Sequence, residues 1–338
     1  MGRRWVRMVA GVGIAGLMLG LCVDSVRRWS GRGGRPRAVA SPQPARSDLH
    51  GTVVRIDAAT GETLAVVPVG EEPSLLRVAS GFPWTMNFGD GSLSRIDPET
   101  DAAVTVDLGE VAGIASDGAD IWAAADGRRI MKLDGATGAP KLSFEVARRK
   151  IFELGDAGFP AIDGDSIWLT VPMLGQRLAD QRLWRIDAST GELIETIGIG
   201  SDPPPPVVDG RFIWVVTFNR GLSRINRVTG EELLVEVGQR PWGLVAASGS
   251  IWVGDERGGV WQVDAATAAA TALIPTGTGV RGLAAGGGRV WAATEGGVVS
   301  IKPSTHEIVH QIELMNPVSG YGPFGIAYAN GDIWVSIN

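Results

Sequence analysis

Arg240-Pro241-Trp242 sets a guanidinium two residues from an indole, a pairing that can hold a carboxylate or a planar polar group. Arg281 supplies a second cation, and Asp255, Glu256 and Glu295 supply carboxylates that could share a divalent cation. General-base chemistry is harder to assemble. Of the 3 histidines, His50 precedes the first strand-like run, His306 falls in a turn and His310 on an outer strand, so none is placed for it. The single cysteine, Cys22, permits neither an intrachain disulfide nor a thiolate zinc site. G-x-S-x-G, P-loop and H-E-x-x-H patterns are missing. The sequence thus points to no catalytic residue, no metal site and no cofactor.

The elements that must position these groups come from a repeat. An apolar residue and a Trp recur after a turn: FPWTM at Trp84, DIWAA at Trp122, SIWLT at Trp168, FIWVV at Trp214, SIWVG at Trp252, RVWAA at Trp291 and DIWVS at Trp334. A second motif alternates with it, VRIDAATGE at Ile56 coming first and the others following a Trp motif at a nearly fixed distance, as in WRIDASTGE at Ile186 and SRINRVTGE at Ile225. Seven copies of each occur, and the second motif opens the series while the first closes it. The half-repeat near Ile56 and the half-repeat ending at Asn338 are therefore expected to share one sheet, closing a ring and covering its edges. The fold class is all-β: a seven-bladed β-propeller of four-stranded blades, closed by N- and C-terminal strands in one blade.

Residues repeated seven times in a ring read as scaffold. The tryptophans should pack between blades, and Asp57, Asp97, Asp134, Asp187, Asn226 and Asp264 should cap hairpin turns rather than act as acids. Asp163 and Asp165 in AIDGDSIW mimic a calcium loop but occupy the turn filled elsewhere by SDGAD and ANGD.

With its P-x-G-I-A, I-W-V and L-x-R-I-D-x-x-T-G stretches, the chain from about residue 50 to 338 resembles the YVTN-type repeat propellers and, more distantly, streptogramin (virginiamycin B) lyase. The resemblance implies the propeller fold. In the lyase family a Pro-His dipeptide at the start of inner strands supplies the base and a Glu after the Trp helps hold magnesium. At the matching positions this chain has Trp242, Arg281 and Phe324. Asp255 and Glu295 could stand in for the Glu, but the base is missing.

The repeat is broken by three extra lengths: 18 residues separate Trp168 from Ile186 where other blades use 10 to 12, and VARRKIFELGDAGFPA and ELMNPVSGYGPFG are also long. All fall in the loops after second and fourth strands, which emerge on one face. That face is the expected binding face, with the central channel at its middle. The candidate binding set is Arg128, Asn219, Arg220, Arg240, Trp242, Asp255, Arg281, Glu295, Tyr321 and Phe324, with a solvated rim of loop charges as the alternative for each.

Residues 1–46 hold nine Arg and one Asp, which leaves 22 basic against 36 acidic residues in the rest. A body that acidic repels phosphate backbones, so nucleic acid is not an expected partner. Arg-rich residues 1–7 precede an apolar run, 8–23, that reads as a signal-anchor or signal peptide; 24–47 reads as a flexible linker and 48–338 as the propeller. The expected protein is membrane-anchored with an extracytoplasmic body, or secreted if residues 1–40 are cleaved. The positive-inside rule alone would keep the body in the cytoplasm. The functional reading is a monomeric propeller that binds a protein, peptide or small molecule on the loop-rich face. Its rivals are a metal-dependent lyase or hydrolase using Asp255, Glu256 and Glu295, and a propeller that docks on another domain.

Overall fold

The computed structural model describes residues 49–147, 158–171, 182–199, 204–217, 221–314 and 322–338. The proposed anchor and linker, 8–23 and 24–47, lie outside them, as do the three insertions at 148–157, 172–181 and 315–321. Among the described residues no helix is long and apolar enough to cross a membrane.

The described chain folds into 28 strands arranged as seven four-stranded antiparallel sheets. The inner strands are β3 (Pro73–Ala79), β7 (Val111–Ser116), β11 (Pro160–Asp163), β15 (Val207–Asp209), β19 (Pro241–Ala247), β23 (Val280–Gly286) and β27 (Pro323–Ala329). Each contacts the next, and β27 contacts β3, so they form a closed ring around an axis.

The Trp strands are β4 (Phe82–Asn87), β8 (Asp120–Ala125), β12 (Ser166–Val171), β16 (Phe212–Thr217), β20 (Ser250–Asp255), β24 (Arg289–Thr294) and β28 (Asp332–Ile337). The third strands are β1 (Thr52–Asp57), β5 (Leu93–Asp97), β9 (Arg129–Asp134), β13 (Arg182–Asp187), β17 (Gly221–Asn226), β21 (Gly259–Asp264) and β25 (Gly297–Ile301). Outermost lie β2 (Thr63–Pro68), β6 (Ala102–Val106), β10 (Pro140–Glu145), β14 (Leu193–Gly198), β18 (Glu232–Val235), β22 (Ala270–Pro275) and β26 (Ile308–Glu313).

Burial follows this radial order. Every residue of β8, β12, β20 and β28 is buried, because a second strand has a neighbouring blade on each face. Outer strands such as β10, β14 and β26 alternate between exposed and half-buried positions. Continuous apolar runs suit the first situation and alternation the second.

The seven repeat tryptophans are each at most 3% exposed. Trp84, for example, packs with Ile114, Ile121 and Leu133 of the following blade. On its own sheet the indole often meets a cation from the third strand: Arg55 lies 5.2 Å from the Trp334 ring, Lys132 4.8 Å from Trp122 and Arg185 5.5 Å from Trp168. These are the directly opposed cross-strand pairs.

The ring closes as the half-repeats require. Strand β1 pairs with β28 from Thr52 opposite Ile337 to Asp57 opposite Asp332, giving the order β2-β1-β28-β27. Arg55 fastens this seam, donating from Nε to Asp332 at 2.7 Å and from a terminal nitrogen to Asp101 of the next blade at 2.9 Å. Burial disfavours its charge, but the two carboxylates outweigh that and hold its pKa above the ordinary value.

The repeated acids are turn-makers. Asp57, Asp97, Asp134, Asp187 and Asn226 each accept the backbone N–H groups two and three residues on through Oδ1, and Asp264 accepts that of Thr267. Asp163 is ion-paired with Arg227 of the neighbouring blade, so it too belongs to the scaffold. Hydrogen bonds from the Ser189 hydroxyl and the Thr190 and Ser189 backbone hold Asp187 down at about 2. Lys141 and Thr137 depress Asp134, and the Thr60 and Thr267 backbone N–H groups depress Asp57 and Asp264.

Because these folded-state pKa values lie below the unfolded value near 3.9, their contribution is complete above about pH 4 and is lost as pH falls toward about 2. The Tm measured by calorimetry should fall through that window. Asp187→Asn, which keeps the acceptor oxygen without the charge, should show a smaller acid-induced fall than the parent.

Candidate functional site

The loops after second strands and those after fourth strands do share a face. They are joined by backbone hydrogen bonds repeated blade after blade: Phe88 to Glu72, Asp126 to Glu110, Glu256 to Arg240 and Glu295 to Gly279, at 2.8–3.0 Å. A side chain on one loop class is thereby held beside the other.

On this face the structure brings together three of the sequence-selected residues. Trp242, Arg281 and Phe324 are each the second residue of an inner strand, on the adjacent strands β19, β23 and β27. They stand side by side at the channel mouth, and all three line one cavity of about 50 Å³. The Trp242 and Phe324 rings meet edge to face at 6.4 Å. Other walls are Leu244, Leu283 and Ile326, with Pro204 and Pro205 from the blade of β15, so five of the seven blades contribute and the cavity is axial.

The flanking charges are paired. Arg240 lies 3.0 Å from Glu256, and Arg281 lies 3.6 Å from Glu295. Glu256 and Glu295 occupy matching places on consecutive blades, whereas Arg240 precedes its inner strand and Arg281 lies within its own; the two pairs form an accessible rim that can exchange its carboxylate partners for those of a ligand.

Asp255 has a different place. It is 6% exposed, and its carboxylate accepts the backbone N–H groups of Gln239, Arg240 and Arg257 at 3.1, 3.4 and 2.9 Å. It holds the loop that carries Arg240. Gly238, at φ +53°, is needed there, since a Cβ would stand 2.2 Å from the Asp255 carboxylate. Arg128 is on the distant β8–β9 blade, paired with Glu145 at 3.3 Å, and does not join the axial cluster. Asn219, Arg220 and Tyr321 lie outside the described residues.

Among the described residues no three His, Cys, Asp or Glu side chains converge as a metal site would need. His306 shares a hydrogen bond with Gln262 at 2.6 Å, and His310 stacks on Trp291 at 6.1 Å, where burial and Arg289 push its pKa down.

One functional candidate escaped the sequence reading: Arg77, on β3, which lines the same cavity. It sits opposite Trp84, and the residues opposite the other repeat tryptophans are Ala115, Ala161, Val207, Val245, Ala284 and Ala327. The signal was a single Arg in a column of Ala and Val, visible once the inner strands are aligned on their Trp partners.

No family model matches the chain, and no curated protein matches it. Solved structures do. Hydrazine synthase of Kuenenia stuttgartiensis aligns at TM-score 0.64 and 16% identity over 81% of this chain and 99% of that one. The extracellular domain of a one-component system from B. thetaiotaomicron aligns at TM-score 0.56 and 18% identity over 78% of this chain and 40% of that one. BamB from Moraxella catarrhalis aligns at TM-score 0.50 and 15% identity over 83% and 90%. At these identities the likeness concerns the fold, which these neighbours and the strand order establish as a seven-bladed propeller.

Proposed function

We propose that this protein is a membrane-tethered, extracytoplasmic binding propeller that captures a protein, peptide or small-molecule ligand on its loop-rich face. The carrying observation is that the repeat is broken on three adjacent inner strands at one place, where Trp242, Arg281 and Phe324 ring the mouth of an axial cavity. An indole, a phenyl ring and a guanidinium around a concavity are the ingredients of a recognition site with an apolar floor and a polar orienting group.

Supporting context comes from the apolar run at 8–23 behind an Arg-rich terminus, and from the likeness to an extracellular domain. The motif pattern supports kinship with the YVTN-type propellers. Nothing specific favours the metal-dependent lyase or hydrolase, because Asp255, the first stand-in for the family Glu, gives its carboxylate to the loop backbone. The acidic body argues against nucleic acid as the partner, and the propeller is read as a monomer.

The test compares partners captured by the full chain with those captured by a variant carrying both Arg240→Glu and Arg281→Glu. Capture of the specific ligand should fall about tenfold or more when both rim cations are reversed. Identical partner profiles from two variants of equal Tm would overturn the assignment of this face.

A further inference from the structure

We infer that the axial channel is an anion site in which Arg77 is the cation, and that its ligand class is a small monocarboxylate with a short apolar body. The inference deepens the binding reading and rests on the loop-rich face being the ligand-entry face.

The scaffold does not call for Arg77. Six of the seven equivalent positions carry Ala or Val and pack without a charge. Nor does any described residue neutralise Arg77. Its only hydrogen bond among the described residues runs from a terminal nitrogen to the Leu76 carbonyl at 2.8 Å, and it makes no ion pair with any of them. The arginines nearer the surface differ: Arg55, Arg240 and Arg281 all face carboxylates.

Arg77 reaches the lumen, so it is partly accessible as a residue, yet protein crowds its guanidinium closely enough to push the pKa down to about 10. It still carries its charge at neutral pH. A desolvated cation with no counter-charge among the described residues is costly, and an entering anion would supply both that counter-charge and further acceptors.

The surroundings narrow the ligand. The aliphatic walls of the cavity that Arg77 lines include Leu76, Leu244, Leu283 and Ile326, and Trp242 and Phe324 stand at the mouth. Arg281, the other cation of the cavity, already faces Glu295. A doubly charged anion such as phosphate would therefore have to displace Glu295 to gain a second cation, whereas a single carboxylate need not. A carboxylate bound in the fork of Arg77, with a short aliphatic chain directed along the leucines, satisfies both charge and solvation. The cavity of about 50 Å³ limits that chain to a few carbons.

The experiment titrates the full chain at constant ionic strength with sodium propionate, with neutral propionamide and with sodium phosphate, following tryptophan fluorescence and heat. Saturable propionate binding is expected, with no saturation by the other two. Arg77→Met should weaken propionate about tenfold or more while the protein melts at or above the parent temperature, because a desolvated charge has been removed. Arg77→Lys should retain part of the affinity.

Propionate binding that persists in Arg77→Met would overturn the assignment, as would no saturable binding at all or tighter binding of phosphate. Failure of the face reading is visible separately, as unchanged partner capture by the Arg240→Glu, Arg281→Glu protein whatever propionate does.

Discussion

Trp334→Ala should destabilise the protein by about 3–5 kcal/mol, the cost of emptying a fully buried indole site, and lower its Tm by roughly 5–8 °C. Trp334 is 0% exposed and packs against Val53 of its own sheet and against Leu76 and Ile96 of the next blade. Its strand is the seam, so the cavity weakens both the blade and the closure of the ring. Removing residues 332–338 is harsher still: β27 would lose its one sheet partner and β1 one of its two, both would present open edges, and no folded propeller should be recovered.

A finer comparison separates packing from hydrogen bonding. Trp84 donates from Nε1 to the Gly135 carbonyl of the next blade at 2.9 Å, whereas the buried Nε1 of Trp334 has no protein partner among the described residues. Trp84→Phe should therefore cost about 1 kcal/mol more than Trp334→Phe in urea unfolding. Equal costs would mean that the inter-blade hydrogen bond contributes nothing.

The ring was legible because its cause is repetitive. A Trp flanked by apolar residues, then R-I-D and T-G, writes one blade, and the halves of the series at Ile56 and Trp334 imply the seam. The clustering at the candidate site was legible only where a residue type was out of place at a strand entry, as with Trp242, Arg281 and Phe324, which line one cavity. Asp255 misled because an acid after a Trp strand looks the same in sequence whether it faces a ligand or accepts three backbone N–H groups. Arg77 was missed for the opposite reason. It lies inside a strand rather than in a loop, and only pairing each inner strand with its Trp reveals that its column is otherwise small and apolar.

Gly325→Ala is expected to cost about 2–4 kcal/mol, more than any ordinary glycine substitution in a strand, because it wedges two inner strands apart. A Cβ at Gly325 would stand 1.9 Å from the Ser74 carbonyl oxygen and 2.9 Å from the Leu76 nitrogen, both backbone atoms of β3 that no rotamer change can move. The same close approach recurs around the ring, with Gly282 facing the Phe324 carbonyl at 2.4 Å and Gly113 facing that of Gly158 at 2.5 Å.

At Gly325 a hydrogen-bond relay is lost as well. Its N–H donates to the Ser336 hydroxyl at 2.8 Å, which in turn donates to the Ser74 carbonyl at 2.6 Å. Gly243 provides the control, since its nearest neighbours would lie at 3.3 Å and a small adjustment can admit a methyl group. Gly243→Ala should cost within about 1 kcal/mol. Both glycines line the axial cavity, so the comparison also reads on function. Prising β27 from β3 moves Phe324 relative to Arg77, and propionate affinity should drop in Gly325→Ala while staying near the parent value in Gly243→Ala. Equal stability and equal affinity in the two variants would refute the close packing of inner strands as the element that sets the width of the channel.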